Sequence, residues 1–151
     1  MPGIVELLRL APIITPNQGE LRDLYRLLGH SNETPVEAMA ATVAGHTGAH
    51  VVVTLGADGV LVCDSTGVTT RIAAGKPRQV VDTTGAGDTF NGVFAAELAA
   101  GQDLETAARR GVAAATLSVE AAGARTSMPN LAAIEILLAV ESTPAIVADH
   151  L

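Results

Sequence analysis

Residues 82–88 read Asp-Thr-Thr-Gly-Ala-Gly-Asp, and a helix-like segment follows. The first N–H groups of a helix lack partners within it and carry the positive end of its dipole. Gly85 and Gly87 have no Cβ, so a ligand can approach the backbone closely. Together these features favour an anion, with phosphate the obvious one. A carboxylate at Asp88 would repel a resting phosphate. Its position makes sense if it takes a proton from a hydroxyl that attacks the phosphorus. Phosphoryl transfer needs positioning, charge stabilisation at the transferred group and a base near the nucleophile, and this one turn would supply donors and base together. The plain alternative is an Asp in a first helical turn, which the dipole favours in any helix. A dinucleotide fingerprint would need glycine at position 90, which is Phe90, and no Walker A sequence occurs.

Three other segments could share that chemistry. Asn17 and Glu20 form N-x-x-E between a strand-like and a helix-like segment. There a carboxylate can hold magnesium directly or through water, or simply cap the helix. The run TLGADG, residues 54–59, closes a hairpin with ordinary turn residues. GARTSMP, residues 123–129, reads as a Gly C-cap followed by a Ser N-cap.

These segments must be held by a scaffold, and hydrophobic spacing supplies one. APIIT (11–15) is a short apolar run stopped by Pro16 and reads as a buried strand. NQGELRDLYRLLG carries Leu21, Leu24, Leu27 and Leu28 on one face and ends at Gly29, as a helix does. Thr34-Pro35-Val36-Glu37 has the form of a capping box with proline at the first helical position, starting a helix to about Gly45. HVVVTLG and GVLVCD read as strands around the GADG turn, with VTTRIAA and RQVVD as further short strands. Ala-rich helices are expected near 86–100 and 104–122, and a last one from Pro129 to about Val140. The order is that of an α/β layered domain over 1–140, with 141–151 as a frayed tail.

Composition narrows the partners. The chain has 151 residues, enough for one domain with a real core, and 48% of them are hydrophobic. Aromatics make up only 2%, which leaves little surface for stacking bases, and a net charge of −7 would repel a phosphate backbone. Nucleic acid is not an expected partner. Cys63 is the lone cysteine, and His30, His46, His50 and His150 lack metal-ligand spacing. The first residues, MPGIVELLRLAPIITPN, make a poor signal peptide, and no apolar stretch is long enough to span a bilayer. A cytoplasmic location away from membranes is expected.

The segments TPNQGE, VVVTLGADGV, DTTGAGDTFNGVFAAEL and GVAAATLSVEAAGARTSMP, in this order and spacing, resemble the second half of the ribokinase and PfkB family of carbohydrate kinases. The resemblance runs from about Ile13 to Leu138, and DTTGAGD with its flanks is its most specific part. It implies a ribokinase-like layered α/β/α fold, present as the C-terminal nucleotide-binding and catalytic portion with an incomplete central sheet. Asp88 resembles the catalytic base that deprotonates the sugar hydroxyl, and Gly85, Ala86 and Gly87 the anion hole over the transferred phosphoryl group. Asn17 and Glu20 match the N-x-x-E tied to the phosphates and their Mg2+. Thr54, Leu55, Gly56, Ala57, Asp58 and Gly59 match the loop beside the nucleotide, and the Val112 region would lie along the adenine pocket. A K+ site behind the anion hole would involve Asp82, Thr84, Ser118, Ala121, Gly123 and Ser127. The implied partners are ATP and a small sugar or sugar phosphate. The family's first half, which holds the sugar pocket and strand lid, has no counterpart before Pro16. Two readings therefore stand: a kinase seen as its C-terminal half, or a non-catalytic nucleotide-binding remnant or interaction module that needs a partner chain, with self-association or a missing N-terminal half as its expected partner.

Overall fold

The computed structural model describes residues 6–8, 10, 12–31 and 34–141. Of the expected tail at 141–151, all but Glu141 lies outside them, as does the start of the apolar run at Ala11. Four strands form one sheet in the order β1 (Ile13–Ile14), β2 (His50–Thr54), β3 (Val60–Cys63) and β4 (Thr69–Ile72). β1 runs parallel to β2, with Ile13 opposite His50, and the next two pairings are antiparallel. Helices α1 (Gln18–Leu27) and α2 (Val36–Thr47) lie between β1 and β2 in the chain, while α3 (Ala86–Ala99), α4 (Leu104–Ser118) and α5 (Leu131–Glu141) follow β4.

The period-2 alternation of strand side chains sorts the core into two layers. Val51, Val53, Leu61 and Cys63 face Leu21, Tyr25, Met39, Ala40 and Val43 of α1 and α2. Val52, Val60, Val62 and Ile72 face Phe90, Phe94, Ala107, Ala108 and Val112 of α3 and α4. Helices thus cover both faces of the sheet, and α5 packs through Ile134 on the outer side of α4. The α/β layering expected from the element order is found, in the α/β/α form that the resemblance implies. With Phe90 and Phe94 almost the whole aromatic content, Ala-rich helices fill the remaining volume by close approach. α3 and α4 meet where a Cβ on Gly111 would stand 2.8 Å from the Phe90 ring.

Several local expectations are corrected. RQVVD forms no strand: Val80 and Val81 are 64% and 50% exposed, and the Val81 and Asp82 amides donate to the Val119 carbonyl instead of to a neighbouring strand. The predicted capping box at Thr34–Glu37 does not form. Pro35 is the N-cap, without a side-chain cap bond, and Glu37 is drawn across to Arg71 on β4. In α1, Tyr25 takes the buried place beside Leu21 that the leucine stripe assigned to Leu27, which is 43% exposed. α4 ends at Ser118, four residues before its expected end at position 122, because Val119 is the C-cap and its carbonyl is taken up by residues 81 and 82.

Candidate functional site

The site grows from the C-terminal ends of β1 and β2. Past β1 the backbone makes an isolated parallel bridge between Asn17 and Thr54, and the Thr54 amide donates to the Pro16 carbonyl at 2.9 Å. That bridge sets the N-x-x-E junction beside the TLGADG turn. At the junction Asn17 Oδ1 accepts from the Glu20 amide at 3.0 Å, and Glu20 Oε2 accepts from the Asn17 amide at 2.8 Å. The capping box in this chain is therefore at Asn17 and Glu20. It engages one Glu20 oxygen, and both residues remain exposed.

The TLGADG run is split by its own geometry. Gly56–Asp58 form a short 3₁₀ turn, and Thr54, Gly56, Ala57 and Gly59 line a cavity of about 400 Å³. Leu55 turns away into the core beneath α1 and α2, and Asp58 is exposed without lining the cavity.

The DTTGAGD turn forms the other side. Asp82 binds at both ends of its carboxylate: Oδ1 accepts from the Thr84 amide at 2.9 Å and Oδ2 from the Gly123 amide at 3.0 Å. The Thr84 side chain, then the Gly123 and Thr84 amides, hold this carboxyl below the usual range. Asp82 therefore ties the glycine turn to the loop after α4. Gly85 is the α3 N-cap at φ 80°, and a Cβ there would lie 2.7 Å from Ala124 Cβ and 2.9 Å from its Cα. The turn sits against that loop so closely that only glycine fits. Beyond it, the Thr89 amide bonds the Gly85 carbonyl at 2.8 Å and the Ala86 amide reaches Thr83 at 3.3 Å. The Gly87 and Asp88 amides find no acceptor among the described residues. Beyond its own chain neighbours and helix backbone, no atom lies within 4 Å of the Cβ position at Gly87. Two unpaired donors at a helix start, under open space, can hold an anion. The Asp88 side chain, in the first turn of α3, is exposed beside them.

The two halves meet in one cavity. Ala86, Gly87 and Phe90 line it from α3, Val112 from α4, and the TLGADG glycines from across the sheet end. Ala74, Gly75, Pro77 and Val80 add to it, together with Val60, Thr83, Ala115, Thr116 and Val119. Spacing along α4 from Val112 points to the last three. The segment at 74–80 gives no such signal, because its residues reach the cavity only through the path of the chain after β4.

Of the residues the resemblance assigns to potassium, Asp82 and Gly123 are bonded to each other, and the Ser127 amide donates to the Gly123 carbonyl at 3.1 Å. Thr84 is exposed but tied to Asp82 through its amide, while Ala121 is exposed. The Ser118 hydroxyl is buried and turned inward to the Ala115 carbonyl at 2.8 Å. Hard oxygens and carbonyls of this kind suit an alkali cation. Among the described residues no group of three or more His, Cys, Asp and Glu could hold a metal ion, so any cation here would be held by hydroxyls, carbonyls and single carboxylates. Cys63 is buried away from the site, with its thiol pushed up by burial and then by Asp64. No described helix is long and apolar enough to cross a membrane.

A model of the pfkB family carbohydrate kinase matches residues 1–131. The chain belongs to this family. It is 42% identical over 125 residues to the ribokinase of Haemophilus influenzae, a match covering 82% of this chain and 40% of that protein. Among solved structures, Arabidopsis thaliana ribokinase complexed with ribose and ATP superposes with a TM-score of 0.75 at 37% identity. That match covers 89% of this chain and 43% of the other. Phosphofructokinase-2 from Escherichia coli, in complex with potassium, superposes with a TM-score of 0.73 at 27% identity, over 93% of this chain and 45% of that one. The chain thus spans 40% of the length of that curated ribokinase, and 25% to 41% of other curated relatives it matches. The PfkB likeness places both the glycine turn and the sheet-end loops within the matched region.

Proposed function

We propose that this chain is the nucleotide-binding and catalytic portion of an ATP-dependent kinase acting on a sugar hydroxyl. One observation carries the reading: the unpaired Gly87 and Asp88 amides, the exposed Asp88 carboxylate and the largely apolar cavity of about 400 Å³ adjoin at a single helix start. The cavity takes the nucleoside, and the amides take the terminal phosphate. Asp88 accepts the hydroxyl proton as the oxygen attacks phosphorus, so the proton goes to the carboxylate and ADP leaves. Glu20 would reach the phosphate-bound Mg2+ through the oxygen left over from its cap. Asp82, Thr84, Gly123 and Ser127, with Ser118 and Ala121 behind them, would surround K+ and so stiffen the anion turn. The reaction belongs in the cytoplasm, where ATP is available.

The test has two arms. Calorimetry on the 151-residue chain should detect Mg·ATP binding, while the chain alone should phosphorylate no sugar, because sugar orientation and water exclusion require further elements. Fused behind the sugar-binding half of a ribokinase, the chain should turn over. Asp88→Asn in that fusion should lower turnover by about 10²–10⁴-fold with ATP affinity held. Near-normal turnover of Asp88→Asn would leave Asp88 as a helix-start carboxylate only.

A second reading is favoured by the sheet edge. The outer side of β1 is unpaired among the described residues, and Ile13 there is 41% exposed. Open edges of this kind pair with another chain. On this reading the polypeptide is a nucleotide-binding module completed by a partner or by itself. A monodisperse monomer in sedimentation would count against it.

A further inference from the structure

Threonines within helices usually turn the hydroxyl back onto the carbonyl four residues earlier. In this chain Thr42 bonds Ala38 at 2.8 Å and Thr47 bonds Val43 at 2.7 Å. Past the end of α4, Thr126 bonds Ala122 at 2.8 Å in the same way. Thr116, inside α4, does not. It is only 7% exposed, yet its hydroxyl finds no partner among the described residues. Thr89 is also buried and unpartnered, but its hydroxyl is sealed from solvent within α3 and it does not line the cavity of about 400 Å³. Thr116 faces the cavity, one helical turn from Val112, among Ala115 and Val119. Unlike that of Thr89, the Thr116 hydroxyl is not sealed from solvent, so it is open to the cavity, where a ligand's polar edge can bond it.

We infer that Thr116 is a specificity-determining residue, its hydroxyl hydrogen-bonding the heterocyclic base of the nucleotide. This rests on the nucleotide-site reading above. The polarity of the cavity runs the right way for it. Gly87, with its unpaired amide, marks the phosphate end, whereas Val112, Ala115 and Val119 form an apolar wall suited to a flat ring. Along that wall Thr116 supplies the one polar side chain, and a hydroxyl can both donate to a ring nitrogen and accept from an amino group.

The experiment measures binding of ATP and of inorganic tripolyphosphate, which has no base, to the 151-residue chain by calorimetry with magnesium. Thr116→Val keeps the shape and removes the hydroxyl. It should weaken ATP by about threefold to tenfold, the range of one neutral hydrogen bond, and leave tripolyphosphate unchanged. Thr116→Ser should restore ATP binding. Unaltered ATP affinity in Thr116→Val, or equal losses for ATP and tripolyphosphate, overturns the inference while leaving the nucleotide site standing. Wild-type chain that binds tripolyphosphate as tightly as ATP has no base subsite, and the inference fails there too. Wild-type chain that binds neither overturns the nucleotide reading and the inference with it.

Discussion

Alanine at Gly85 and alanine at Gly87 should move stability in opposite directions, although the two glycines are separated by a single residue. Gly85 sits at φ 80°, where an L side chain costs about 1–2 kcal/mol. The new Cβ would also stand 2.7 Å from Ala124 Cβ and 2.9 Å from Ala124 Cα. A backbone atom cannot rotate aside, so overpacking adds about 1–3 kcal/mol. A total of about 2–5 kcal/mol corresponds, for a domain of this size, to a melting temperature lower by on the order of 10 °C. Gly87 lies inside α3 without a positive φ and with nothing within 4 Å of its Cβ position. Alanine there should gain about 0.4–1 kcal/mol by restricting the unfolded chain and favouring helix, a rise of a few degrees. The same methyl would occupy the space above the unpaired amides, so Mg·ATP binding should weaken in the more stable protein. Thermal melts followed by circular dichroism, paired with calorimetry, read both effects. A Gly85→Ala protein as stable as wild type would refute the close approach to Ala124. A Gly87→Ala protein that binds Mg·ATP normally would refute an anion seat over Gly87.

At the helix crossing, Gly111→Ala would put a Cβ 2.8–2.9 Å from the Phe90 ring and 3.1 Å from its carbonyl. Overpacking of about 1–3 kcal/mol should outweigh the helical gain of about 1 kcal/mol, lowering the urea midpoint and, because Phe90 lines the cavity, also nucleotide affinity. An unchanged midpoint would contradict the packing described. In the β3–β4 turn, Asp64 Oδ1 accepts from the Thr66 hydroxyl at 2.6 Å and the Thr66 and Val68 amides at 2.8 and 3.0 Å. The Thr66 hydroxyl first, and then these amides with that of Gly67, hold the carboxyl below its usual range. A lowered folded pKa means stability that is present above the unfolded value near ~3.9 and lost as pH falls through the folded one. Urea midpoints of wild type and Asp64→Asn should therefore differ most above about pH 5 and begin to converge only below about pH 4, as pH falls towards the lowered folded value. A gap independent of pH would show that the charge plays no part.

Much of this protein is determined locally. Apolar runs of the right length between Gly and Pro stops place β2, β3 and β4, and helical spacing places the cores of α1 to α5, though not the helical residues 6–8 ahead of β1. The DTTGAGD turn names its own chemistry because a helix start, missing Cβ atoms and a carboxylate carry their properties wherever they are set. What failed was decided by competition between distant groups. RQVVD has the composition of a strand, but the Val119 carbonyl takes its amides, so it becomes cavity wall. Thr34 and Glu37 have the spacing of a capping box, yet Arg71 from β4 claims the glutamate, while the helix cap that the sequence allowed at Asn17 and Glu20 does form. The cavity belongs wholly to the tertiary level, since the segment at 74–80, the TLGADG turn, α3 and α4 meet only through the sheet. Residue type sets what a group can do, but which partner it finds depends on groups far away in the chain, and only packing brings those together.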